Sequence, residues 1–425
     1  MLRADVYRPM EGGPYPVLLM RLPYGRAIAS TVTYQHPSWY ARQGYIVVIQ
    51  DVRGCGASEG TFYPFRHEVA DGYDTVRWCA QELAGSNGAV GMYGFSYQGV
   101  TQLQAAIAQP PGLVTICPAM ASADLTEGWL HWGGALCWEF ALTWGLQLTQ
   151  NQAQFRRLEP LATQLVAAQQ EIHRWLAFRP LSQMPPLRGV TQGEFFFDWL
   201  THAPDSPYWQ ELSPLTHFDR FDLPALHIAG WSDLFVAGTL ATYERARAVT
   251  AQPQHLIAGP WQHMPWQRRV GELDCGPAAV SSVDAWQVAW FDRWLKGVDT
   301  GIVPLTRWFV MGKNAWRESD RPWSEPPAQT WYLAGETLSA TPPPHPTPRM
   351  YVSDPRNPVR STAYGPYNQS AVDGRWDVLR YASVPLPEPL MLQGSPHLEW
   401  LAETTAPQTD WVVKLMVDFG DGARF

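Results

Sequence analysis

The sequence predicts an α/β fold: a doubly wound, mostly parallel sheet with an inserted helical cap, followed by a C-terminal β-sandwich. Three observations predict it. Continuous apolar runs of strand length alternate with helix-like stretches through residues 15–118, as parallel strands buried on both faces require. Strand signals then stop at about Asp124 and return only after Leu215. Beyond Asp320 proline-rich sequence gives way to short β-like segments.

The elements follow in order. Residues 4–9 read as the second half of a hairpin, so a preceding segment is expected. Residues 15–20 and 45–50 are apolar strands, and residues 39–44 end a helix with a glycine C-cap. Residues 51–60 form a glycine-rich loop, expected to be pinned by an Asp51–Arg53 ion pair. The loop satisfies neither of the usual phosphate-binding glycine spacings. Residues 68–83 carry Val69, Tyr73, Val76, Trp78 and Leu83 at helical spacing, with Asp71 and Asp74 on the wet side. Strands are expected at 89–93 and 112–118, around a helix at 100–108.

The cap, 124–215, holds helical stretches at 134–150 and 158–178 and no strand. Strands return at 223–230, 254–259 and 307–311, separated by helices at 236–249 and 283–295. This gives an α/β sheet domain of residues 1–123 and 216–320, a cap of 124–215 and a β domain of 321–425. In the last, residues 329–334, 390–392, 396–402 and 411–417 read as strands, too few to finish a sandwich.

Composition narrows the function. A net charge of −8 with only 16% charged residues shows no basic stripe for nucleic acid. No apolar run approaches the roughly 20 residues of a membrane span. The 22 tryptophans hint at aromatic-lined cavities. Five cysteines, odd in number and without a C-x-x-C pair, read as free thiols, and no secretory signal opens this chain, which together point to the cytoplasm.

The chemistry centres on Gly94-Phe95-Ser96-Tyr97-Gln98-Gly99, between an apolar strand and an Ala- and Gln-rich helix. A strand, sharp turn and helix with one serine among small residues is a nucleophile elbow, which holds the hydroxyl clear of the backbone. A serine nucleophile needs a base, and the base an orienting carboxylate, following in chain order from loops at strand ends. Asp233 lies past the strand ending at Gly230, and His263 past the one ending at Gly259. Of the eleven histidines only His263 combines that position with lying downstream of a strand-end acid. Asp51 follows a strand that precedes the serine, so it reads as structural. The oxyanion needs two donors. One is the backbone N–H of Tyr97; for the other, Tyr24 reads on spacing alone either as a phenol donor or as an ordinary loop tyrosine.

These motifs, with Ala4-Asp5-Val6-Tyr7-Arg8-Pro9, Pro23-Tyr24, Gln50-Asp51-Val52-Arg53-Gly54, Gly230-Trp231-Ser232-Asp233 and Gly259-Pro260-Trp261-Gln262-His263, resemble the CocE/NonD hydrolases, cocaine esterase-like members of the Xaa-Pro dipeptidyl-peptidase superfamily. The resemblance implies an α/β-hydrolase domain, a helical cap and a C-terminal jelly roll. It also implies a Ser96, Asp233, His263 triad with Tyr24 hydroxyl and Tyr97 N–H as oxyanion hole. It further implies Trp129, Trp144 and Phe235 as pocket aromatics; without it the two tryptophans read as cap core. The family pattern has a β segment before Ala4 and about a hundred residues of jelly roll after Val417, so the chain reads as truncated at both ends, with exposed strand edges.

The expected activity is serine hydrolysis of a small-molecule ester, or of an amide, without cofactor or metal. Dipeptide release from Xaa-Pro peptides and acyl transfer on α-amino acid esters or β-lactams are the alternatives. Those relatives hold a substrate ammonium with carboxylates near the acid loop, whereas residues 231–235 here carry only Asp233. A non-catalytic carbohydrate-binding or adhesion module is the alternative of another class. The sequence leaves the oligomeric state open, a homodimer included.

Overall fold

Strand β1 (Ala4–Tyr7) is followed by β2 (Tyr15–Leu22), α1 (Pro37–Arg42), β3 (Ile46–Asp51), α2 (Glu68–Gln81), β4 (Ser86–Phe95), α3 (Tyr97–Ala108) and β5 (Leu113–Ala119). The computed structural model describes residues 1–299, 301, 304–321, 328–360, 365–420 and 423–425. After the cap come β6 (Ala225–Gly230), α9 (Val236–Val249), β7 (Gln254–Gly259), α10 (Val283–Lys296), β8 (Thr306–Val310) and β9 (Ala315–Ser319). The cap itself contributes α4 (Trp138–Phe155), α5 (Glu159–Gln170), α6 (Ile172–Leu176), α7 (Glu194–Thr201) and α8 (Pro207–Leu212).

The nine strands form one sheet in the order β1-β3-β2-β4-β5-β6-β7-β8-β9. Its inner pairs are parallel, while β1 and β9 pair antiparallel at the two edges. Alternation along β2 shows why apolar runs make such a sheet. Val17 and Leu19 join the core under α2 and α3, while Leu18 and Met20 join the opposite core with Trp290 and Phe291 of α10. Strand β3 is buried throughout, and its two polar end residues are satisfied by hydrogen bonds: Gln50 Oε1 accepts from Arg21 Nε and Asp51 Oδ1 from Arg26 N.

The chain forms two compact units, residues 1–270 with 274–320 and residues 271–273 with 321–425. The first unit includes the cap, whose Leu142, Trp144, Phe195, Phe196 and Trp199 pack in one cluster with Val52, Tyr97 and Val100 of the sheet domain.

Several expectations are corrected. Asp51 pairs with Arg26, and Arg53 pairs with Asp71, so the Asp51–Arg53 pair does not form. Asp71, read as wet, is 3% exposed, and both its carboxylate oxygens accept from the Arg53 guanidinium, which lies over it. The cap contains a small antiparallel pair, His131–Trp132 with Ala135–Leu136, and the helix expected from 134 begins only at Trp138. The stretch 158–178 divides at Glu171 into two helices. Strand β9 has no counterpart in the sequence reading, since its exposed residues break the apolar pattern.

In the second unit Tyr332–Ala334 pairs antiparallel with Thr337–Ser339, inside the segment expected at 329–334. Isolated bridges join Thr337 to Ala382 and Asp418 to Arg424. The described residues 390–392, 396–402 and 411–417 form no strand; their β propensity finds no partner, and Leu401, Val412 and Leu415 stay exposed. No described helix is long and apolar enough to cross a membrane.

Candidate active site

Strand β4 and helix α3 meet at Ser96, whose φ of 63° and ψ of −129° form a strained turn for a non-glycine residue. Two glycines allow it. Gly94 has φ +136°, and a side chain there would place its Cβ 2.5 Å from the Gln98 Cβ. A Cβ on Gly99 would sit 2.5 Å from that of Ala121 on the chain leaving β5. The displaced glycine of the motif thus marks the closest approach of the elbow helix to its neighbouring strand. Gln98 Oε1 accepts from Phe95 N at 3.2 Å, closing the turn from beneath.

Asp233 and His263 come from the loops that follow two adjacent strands. Asp233, three residues past β6, is buried, and its Oδ1 lies 2.7 Å from His263 Nδ1. Its Oδ2 accepts from Phe235 N at 3.2 Å, so both oxygens are engaged. The two loops are tied to each other by Ser232 N donating to Trp261 O at 3.1 Å. The His263 ring packs against Phe95 and Phe235, each with centroids 5.2 Å away, which fixes its plane. With Nδ1–H given to Asp233, Nε2 is left as the basic nitrogen. Among the described residues no hydrogen bond joins Ser96 Oγ to His263; such bonds commonly tighten when substrate binds.

Tyr24, on the loop after β2, accepts from Trp144 Nε1 at 3.2 Å, and Ser96 lies close enough to its phenol to influence its titration. Burial pushes its phenol up to about 12, against the opposing pull of Trp144 and Ser96, so it stays protonated and able to donate at neutral pH. Tyr97 opens α3, so its N–H has no acceptor within the helix and points free at the N-terminal, partially positive end.

Over these groups lies an aromatic wall. Trp129 stacks on Phe235 at 4.0 Å, and Trp144 stacks between Phe140 at 5.4 Å and Trp199 at 5.0 Å. Trp129 and Phe235 are 1% exposed, so both are packed surfaces. Every residue singled out from sequence is therefore placed: Ser96, Tyr24 and Tyr97 about the elbow, Asp233 and His263 joined beside it, and Trp129, Trp144 and Phe235 in contact above.

The supporting residues went unread. The Tyr97 phenol donates to Glu68 Oε1 at 2.9 Å and accepts from Phe65 N at 3.0 Å. Glu68 in turn sits 2.8 Å from Arg21 Nη1, with both side chains buried. Burial pushes the Glu68 carboxyl up, while Arg21 and Tyr97 pull it down. Gln102 Nε2 donates to the Gly94 and Gln98 carbonyls, and its Oε1 accepts from Cys117 N, stitching elbow to β5. Asp51 accepts from Arg26 N at 2.6 Å and from Ala57 N at 3.1 Å, anchoring the loop that carries Tyr24. Periodicity gave no signal for these pairs except the anomaly of polar residues inside apolar runs. Among the described residues no three His, Cys, Asp or Glu side chains gather as a metal site.

Residues 1–265 match the X-Pro dipeptidyl-peptidase (S15) family, and residues 303–419 match the X-Pro dipeptidyl-peptidase C-terminal non-catalytic domain. The cocaine esterase of Rhodococcus sp. (strain MB1 Bresler) is 34% identical over 99% of this chain and 78% of that enzyme. Among solved structures, an aminopeptidase from a marine sediment Thaumarchaeota archaeon superposes with TM-score 0.72 at 22% identity, over 91% of this chain and 70% of that one. An α-amino acid ester hydrolase superposes with TM-score 0.68 at 22% identity, over 92% of this chain and 72% of its own. At that identity the two structures speak for the fold.

Proposed function

This chain belongs to the X-Pro dipeptidyl-peptidase (S15) family and is a serine hydrolase, and from that premise we propose that it cleaves neutral acyl esters, and amides secondarily, through an acyl-enzyme on Ser96. Family membership sets aside the non-catalytic binding module. The domain division into residues 1–123 with 216–320, cap 124–215 and β domain 321–425 is part of the same proposal. So is a cytoplasmic setting, supported by five free cysteines, four of them buried.

Ser96 Oγ attacks the ester carbonyl carbon while His263 Nε2 takes its proton, and the carbonyl π pair moves to oxygen. Asp233, bonded to Nδ1–H, stabilises the imidazolium that results. Tyr24 O–H and Tyr97 N–H hold the oxyanion. As the tetrahedral centre collapses, the leaving alkoxide takes the proton from His263, and the acyl group stays on Ser96. Water then attacks with His263 again as base, releasing the carboxylic acid and restoring the serine.

The observation that carries this reading is the buried, protonated Tyr24 phenol beside Ser96, held by the Trp144 indole N–H at 3.2 Å. A donor at the nucleophile's side, facing an aromatic wall, suits an acyl group that gains negative charge only at its carbonyl oxygen. The Rhodococcus relative, by its name, acts on an ester, which supports the same substrate class. The acid loop adds no second carboxylate to greet a substrate ammonium.

Two assays test it. Fluorophosphonate should label the wild type and not Ser96→Ala, with the fold unchanged; unimpaired ester turnover by Ser96→Ala would sink the nucleophile assignment. Phenyl or benzoyl esters should exceed glycyl-prolyl anilide in kcat/KM, and the reverse preference would make the enzyme a dipeptidyl-peptidase.

A further inference from the structure

Tyr24 and Trp144 come from separate parts of the chain, one from the loop after β2 and the other from the cap helix α4, yet one hydrogen bond joins them. Its direction is not negotiable. An indole N–H only donates, so the Tyr24 oxygen must accept at 3.2 Å. Tyr24 keeps one proton of its own to give, and Ser96 is the polar side chain of the elbow that lies beside it.

We propose that Trp144 is a positioning residue for catalysis: its indole N–H fixes the Tyr24 hydroxyl rotor so that the phenol donates toward Ser96 and then toward the oxyanion. This rests on the reading of Tyr24 as an oxyanion donor. The resulting order is one-way. Trp144 N–H donates to Tyr24, Tyr24 O–H donates to Ser96 Oγ, and the Ser96 proton is left for His263. Without the indole the Tyr24 oxygen could accept the Ser96 proton instead, turning the nucleophile away from its base.

Trp144 is built to aim that N–H. It is 5% exposed, and its ring is held between Phe140 one turn earlier on α4 and Trp199 of α7, both within 11° of parallel. Trp129 meets it edge-on at 5.7 Å. An indole clamped on three sides holds its N–H direction before substrate arrives, which is what electrostatic preorganisation requires. Accepting this bond also polarises the phenol, making its own O–H a better donor. The cap therefore reaches the chemistry itself through one atom, in addition to whatever it offers the acyl group.

The test separates this role from pocket packing. Trp144→Phe keeps a ring in the stack and removes the N–H. The loss of one neutral hydrogen bond should lower kcat for p-nitrophenyl acetate about five- to ten-fold, while KM stays within about two-fold. Benzeneboronic acid, which forms a tetrahedral adduct on a serine Oγ, should bind more weakly by the same factor as kcat. Replacing the Trp144 indole with its sulfur isostere, 3-benzothienylalanine, preserves the outline and should give the same loss, so the test survives if Trp144→Phe fails to fold. In a cycle with Tyr24→Phe, the double variant should be no slower than Tyr24→Phe alone. A raised KM with unchanged kcat, full activity in the isostere enzyme, or multiplicative losses in the cycle would each overturn the proposal. If Tyr24→Phe slows the enzyme and the isostere does not, only the role of Trp144 fails. If Tyr24→Phe leaves kcat intact, the oxyanion reading fails with it.

Discussion

His227 stands in the middle of β6, the strand whose end carries Asp233, and acid should attack the enzyme there first. The imidazole is 1% exposed, its Nε2 lies 3.0 Å from Gln254 Oε1, and Tyr243 packs edge-on at 5.5 Å. Burial holds its pKa down to about 4 from the ordinary 6.5, with the Gln254 bond opposing and His255 adding to the fall. The unfolded chain therefore binds a proton near pH 6.5 that the folded chain refuses until about pH 4. Stability is full above the unfolded value and declines as pH falls through this window. A gap of that size amounts to about 3 kcal/mol in all, of which about 2 kcal/mol is gone by pH 5. His67 and His131, also held low chiefly by burial, push in the same direction. Urea denaturation followed by tryptophan fluorescence at pH 7 and pH 5, on wild type and His227→Gln, isolates the term. The glutamine can still meet Gln254 but cannot titrate, so the variant should lose about 2 kcal/mol less between the two pH values. Parallel pH dependence in the two proteins would refute the buried, neutral histidine.

Three other outcomes follow from the packing. Gly99→Ala drives a methyl to 2.5 Å from the Ala121 Cβ and should destabilise the elbow by about 1–3 kcal/mol, with activity falling more than secondary structure by circular dichroism. Glu68→Gln keeps a partner for the Tyr97 phenol but leaves the buried Arg21 without its counter-charge; a loss of about 3 kcal/mol in urea melts, with lower kcat, is expected, and unaltered stability would show the pair to be dispensable. Leu401→Lys with Val412→Lys removes two exposed apolar side chains from the second unit and should lower concentration-dependent light scattering at unchanged kcat.

What could be read from the residues and what could not divides along sequence distance. Ser96, Asp233 and His263 were legible because each lies just past an apolar run, and the end of a strand is a local signal. The apolar residues of β2 and β3 were legible for the same reason. Arg21 was not: it lies just past the apolar run 15–20, in the part of β2 that the run does not mark, and its partner Glu68 is 47 positions away. Asp51 was correctly read as structural but given the wrong partner, since Arg53 is near in sequence and Arg26 is near only in space. Asp71 shows the limit of helical periodicity, which ranks faces by polarity and cannot foresee an arginine arriving from another loop. The segments 390–392, 396–402 and 411–417 show the converse. Alternation states a willingness to pair, and a strand exists only when a second chain segment answers it.

The cap leaves the sheet after β5 and returns at β6, so in the chain it falls between the strand that ends at Ser96 and the two strands whose following loops carry Asp233 and His263. Insertion at that seam separates two kinds of change. Substitutions or length differences in residues 124–215 can reshape what reaches Ser96 without disturbing any strand register beneath it. Selection, natural or in the laboratory, can thus vary the substrate while the sheet beneath is inherited intact, and that freedom narrows where bonds tie the two together, from Trp144 to Tyr24, Gln152 to Cys55 and Tyr63 to Asp198.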